Sequence, residues 1–87
     1  MDTFTTIQRL AAERLDIPAE TLLRARTFAE AGIDSLATLD LITALEGRFG
    51  IAIAPEDLDG VQSLSDLAAV VDRLVTRKSH AYEEALA

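Results

Sequence analysis

Residues 32–49 read GIDSLATLDLITALEGRF, an apolar rhythm opened by Asp34 and Ser35 and closed by Gly50. At about 100° per residue, with residue 36 at zero, Leu41, Ile42, Leu45 and Phe49 fall within roughly 140–240°. That is one core-facing stripe of the width a surface helix buries. The spacing predicts a helix that starts at Asp34 or Ser35, where a short polar side chain can cap it. Its end is predicted at Gly50, a residue suited to the left-handed turn past a helix. The same wheel puts Leu36, Leu39, Asp40, Thr43, Glu46 and Gly47 within roughly 280–40°. A helix serving only as scaffold would be polar there. Two leucines among acids read either as residues covered by a loop or as a small apolar docking patch ringed by charge.

Upstream, Ile7, Leu10, Ala11 and Leu15 recur at helical spacing and predict a helix over about residues 3–15, with Thr5 and Gln8 in the form of a capping box. Between the two helices lies DIPAETLLRARTFAEAGID, read as a long loop pinned by Phe28 and Ile33, with Pro18 opening a short turn of helix. Downstream, IAIAPEDLDG is too short for a full helix, and Pro55 and Glu56 open at most a brief one. Leu64, Leu67, Ala68, Val71, Leu74 and Val75 then keep helical spacing, with Ser63 as N-cap and Asp66 in the first turn. After Arg77 the tail KSHAYEEALA loses that period. The expectation is an all-α fold: a small four-helix bundle, three long helices and one short one, with a long loop between the first and second helices. Residues 1–79 form its one domain, and residues 80–87 a frayed or disordered tail.

Composition bounds the function. With 87 residues, the chain buries only about 60–65% of its unfolded surface, so its core is thin. Apolar residues make up 49% and charged ones 26%, as in globular proteins. A net charge of −7 and a pI near 4.4 argue against nucleic acid as a partner. The acidity is local: from Glu30 to Asp59 there are seven acids and one base, Arg48. Such a field steers basic partners and selects among them. Without cysteine there is neither a disulfide nor a thiolate. No apolar run of about 20 residues and no signal-peptide pattern is present, so no membrane partner and a cytoplasmic location are expected. Enzyme chemistry finds little support: the single histidine, His80, lies in the aperiodic tail, and EDLDG has the wrong spacing for a calcium loop, so no catalytic or metal-ligating residue is assigned.

That leaves Ser35. A helix N-terminus favours an anion, because free N–H groups and the positive end of the macrodipole meet there, and an exposed serine could carry a phosphate covalently. Alone, DSL reads equally as an ordinary cap. The wider pattern is more specific: F-x-x-x-G-I-D-S-L, then L-x-L-I-x-x-L-E-x-x-F-G-I-x-I-x-P-E-D-L, then V-Q-S-L-S-D-L. Over residues 4 to about 77 this resembles the acyl carrier protein family.

The resemblance implies a carrier rather than an enzyme, with 4'-phosphopantetheine from coenzyme A attached covalently to Ser35 beside Asp34, and acyl groups held on the arm as thioesters. It implies a partner-binding surface of Leu36, Leu39, Asp40, Thr43, Glu46 and Glu56. It also implies an acyl-chain cleft lined by Phe28, Phe49, Ile53, Leu58 and Val61, positions that ordinary core packing would equally explain. Implied partners are a phosphopantetheinyl transferase, acyl- or aminoacyl-loading ligases and transferases, and synthases, with the carrier itself a monomer. Ala37, Gly47 and Arg48 depart from the acid-rich fatty-acid type and point to a discrete carrier of a specialised lipid or polyketide pathway. Two alternatives stay open: an aminoacyl or peptidyl carrier, and an unmodified helical protein-interaction module in which Ser35 is only a cap.

Overall fold

The computed structural model describes residues 2–86, and the side chains among them as far as residue 80. Met1 and Ala87, with the last side chains of the tail, lie outside the described residues. Four α-helices and one 3-10 turn follow in order: α1 (Thr3–Leu15), α2 (Ala19–Arg24), α3 (Ser35–Phe49), the 3-10 turn (Pro55–Leu58) and α4 (Leu64–Leu86). No strand occurs among the described residues.

The first helix spans the residues its periodicity predicts, but its cap lies three residues before Thr5. Asp2 is the N-cap, its carboxylate accepting the Thr5 N–H at 2.7 Å. The capping box expected of Thr5 and Gln8 therefore does not form, because Thr5 is already helical, and the Gln8 Nε2 is buried without a partner among the described residues. Asp16 closes α1 in the left-handed region at φ 54°, a conformation that Asp tolerates better than most residues. Pro18 then starts α2, its carbonyl accepting the N–H groups of Thr21 and Leu22. This short helix gives the long connection one firm anchor, the buried Leu22.

The core is where α1 meets both α3 and α4. Ile7 and Ala11 of α1, Leu41 and Leu45 of α3, and Val71 of α4 have no exposed surface, and Leu67 is 1% exposed. Burying each of the larger side chains stabilises the fold by about 1.5–3 kcal/mol. Ile33 is the second plug of the long loop and is also buried, while Phe28 is half-buried.

Both ends of the α3–α4 connection are fixed locally. Gly50 ends α3 at φ 65°, and its carbonyl accepts a hydrogen bond from the Lys78 ammonium at 2.5 Å. Ser63 caps α4, its hydroxyl accepting the Asp66 N–H at 3.1 Å, while the Asp66 carboxylate accepts the Gln62 N–H at 3.0 Å. α4 continues through the aperiodic tail to Leu86.

Candidate functional site

Two residues compete to cap α3, and the geometry separates their roles. Asp34 is the cap: its Oδ1 accepts the Ala37 N–H at 2.8 Å, and its carbonyl accepts both the N–H and the hydroxyl of Thr38, at 2.9 and 2.8 Å. Ser35 is left as the first residue of the helix, exposed, and no hydrogen bond among the described residues engages its hydroxyl. The chain reaches this point through Gly32, whose φ of 77° turns it so that Ile33 enters the core while Ser35 stays in solvent. A phosphodiester on the Ser35 oxygen would sit beside the first-turn N–H groups of α3, where the helix dipole favours negative charge. The residues present fit such a group.

Ser35 also stands on the rim of an open apolar cleft of about 790 Å³. One wall is the loop before α3, with Phe28 and Ile33; the floor is α3 itself, with Thr38, Leu39 and Ile42. Leu67 lies at the α4 side, and the opposite wall is the α3–α4 connection, with Leu58, Val61 and Gln62. A volume in this range suits a small-molecule ligand. Of the five residues assigned to a cleft from sequence, Phe28, Leu58 and Val61 line it, while Phe49 and Ile53 lie outside it, half-buried against the core. Periodicity could not draw this line for Ile53, Leu58 and Val61, because the 51–63 connection is largely non-helical and has no wheel to read, whereas Phe49 falls on the buried stripe of the α3 wheel. Ile33, Thr38, Ile42 and Leu67 were missed as lining residues. The one available signal was Ile42's position at the edge of the buried stripe.

The surface expected to meet partners divides in two. Leu36 and Leu39 are exposed by 78% and 59%, with no loop covering them. Thr43 is exposed too, its hydroxyl donating to the Leu39 carbonyl at 3.0 Å. Asp40, one turn from Leu36, pairs with Arg14 of α1 at 3.0 Å. Arg14 was absent from the sequence reading, since nothing local links it to Asp40. Glu46 departs from expectation more clearly: its carboxylate accepts the Ile53 N–H at 2.9 Å, turned towards the chain that follows α3. Glu56 is exposed on the 3-10 turn, and its neighbour Asp57 faces Arg73 at 3.5 Å. Among the described residues no group of acids and histidines could hold a metal ion, and no helix is long and apolar enough to cross a membrane.

The family model for the phosphopantetheine attachment site matches residues 5–71. The chain belongs to the acyl carrier protein family. Acyl carrier proteins are carriers rather than enzymes and hold 4'-phosphopantetheine covalently on a serine. Among curated relatives, the chloroplastic acyl carrier protein 4 of Cuphea lanceolata is 28% identical over 80 residues, covering 91% of this chain and 58% of that protein. This acyl carrier chain thus spans somewhat over half the length of that relative. A stretch of the non-reducing polyketide synthase prhL of Penicillium brasilianum is 28% identical over 83 residues, 95% of this chain but 3% of the synthase. A crystal structure of an acyl carrier protein from Thermotoga maritima matches with a TM-score of 0.73 at 26% identity, covering 84% of this chain and 86% of that one.

Proposed function

We propose that Ser35 is the attachment point of 4'-phosphopantetheine and that the chain carries acyl intermediates for a specialised lipid or polyketide pathway in the cytoplasm. The observation that carries this reading is the placement of Ser35: a solvent-facing hydroxyl, relieved of capping by Asp34, on the rim of an apolar cleft. When bound, the arm supplies the thiol for a thioester linkage that a cysteine-free chain cannot make.

The chain's own residues then do three things. Asp34 holds the first turn of α3 in place, so the Ser35 oxygen has a fixed direction. Leu36 and Leu39 offer partners an apolar contact beside that oxygen, and Asp34 and Glu56 add negative charge for steering. The cleft receives an apolar chain arriving from the Ser35 side. The partners in this reading are a phosphopantetheinyl transferase, loading ligases or transferases, and synthases, met by a monomeric carrier.

Incubation with coenzyme A and a phosphopantetheinyl transferase, followed by intact mass, tests the site. Wild type should gain one phosphopantetheinyl group and Ser35→Ala none. Wild type that stays unchanged in mass would end the proposal in favour of an unmodified interaction module. Loading by an amino-acid-adenylating enzyme rather than an acyl ligase would replace the acyl cargo with an aminoacyl one.

A further inference from the structure

Glu46 holds the chain after α3 at three points. Its backbone carbonyl accepts the N–H groups of Gly50 and Ile51, at 2.9 and 3.2 Å, and its side-chain Oε2 accepts the Ile53 N–H at 2.9 Å. The grip continues one residue on, where the Asp57 carboxylate accepts the Ala54 N–H at 2.9 Å and the Ala54 carbonyl accepts the Asp57 N–H at 3.0 Å. Beyond Asp57 the chain supplies Leu58 and Val61 to the cleft, and the Gln62 carbonyl accepts the Phe28 N–H at 2.8 Å, joining the two walls. At its α3 end the backbone bonds hold Gly50 and Ile51, and the Glu46 carboxylate is the side chain that extends the hold to Ile53.

We propose that Glu46 is a positioning residue for the cleft: by holding the Ile53 amide it sets where Leu58 and Val61 stand, and so how firmly an apolar cargo is enclosed. A bond to a charged acceptor is stronger than a neutral one, and a half-buried bond is less open to replacement by water. This inference rests on the proposed carrier function, since it concerns how the cleft treats cargo delivered from Ser35.

The test begins with the unloaded protein, where amide exchange at Ile53 reads the bond directly. Glu46→Ala should speed that exchange on the order of tenfold or more, the size expected for losing a charge-assisted hydrogen bond, and Glu46→Gln should fall between, since its amide oxygen still accepts. Wild type, both variants and Leu10→Ala, a stability control on α1 away from the cleft, are then loaded from decanoyl-coenzyme A by a transferase. Intact mass should show equal loading in all four. Hydroxylamine should release the decanoyl group several-fold faster from Glu46→Ala, by a lesser factor from Glu46→Gln, and at the wild-type rate from Leu10→Ala. An unprotected Ile53 amide with unchanged release would overturn the proposal, as would equal acceleration in Leu10→Ala. Should Glu46→Ala not fold, Glu46→Gln alone decides by the same two readouts. Failure of wild type to load at all would instead count against the carrier reading.

Discussion

Two pairs of leucines on one helix have opposite fates. Leu41 and Leu45 are wholly buried in the core shared by α1, α3 and α4, whereas Leu36 and Leu39, on the same helix, are 78% and 59% exposed. Residue type and helix are the same, so the difference is one of angle around α3 alone. The buried pair secures the bundle; the exposed pair contributes little to folding and remains available to other molecules. A helix with both faces apolar has separable stability and recognition, and single substitutions can tell them apart.

The largest effect should come from the buried pair. Leu45→Ala is expected to cost about 2–5 kcal/mol in urea unfolding through lost contacts and a residual cavity. A loss comparable to that of an exposed leucine would break the comparison. Asp34→Ala should follow, at about 0.5–2 kcal/mol, because it removes the cap of α3. Ser35→Ala sharpens the contrast at the adjacent position: its stability should stay within about 0.5 kcal/mol of wild type, since Ser35 does not cap, while arm loading by mass is abolished.

Leu36→Ala and Leu39→Ala should likewise shift unfolding by no more than about 0.5 kcal/mol, yet slow arm transfer by raising the KM for the carrier. Arg14→Ala removes an exposed ion pair, 51% and 43% exposed, worth at most about 1 kcal/mol before screening. Its small cost should shrink further at high salt.

The smallest expected effect lies at the start of α1, far from either leucine pair. Asp2's carboxyl is held below the usual carboxylate range, first by a hydrogen bond with the Thr5 side chain and then by the Thr5 N–H. A depressed value means that the folded state favours the charged form. Its contribution is therefore present above the ordinary carboxylate range and fades as the pH falls through the depressed value. Asp2→Asn keeps a capping oxygen but removes the titration, so the acid limb of the stability curve should flatten in that variant.

What could be read in advance follows from the range of the interactions concerned. The helices, the Gly50 stop and the Ser63 cap rest on contacts three or four residues apart, which periodicity and capping chemistry display directly. The wheel of α3 also separated the buried Leu41 and Leu45 from the exposed Leu36 and Leu39 correctly. Asp2 was overlooked because Thr5 and Gln8 offered an equally regular box, and only the backbone path selects between caps.

The sequence by itself determined an all-helical bundle, a serine at the head of α3 and a leucine patch beside it, because each depends on local spacing along one helix. Tertiary structure alone decided that Arg14 reaches Asp40, that Glu46 turns back to the Ile53 amide, and that Leu58 and Val61 rather than Phe49 and Ile53 face the cleft. Those choices belong to side chains brought together by packing and to a connection with no helical period. Their partners are fixed only once α1, α3 and α4 have closed on one core.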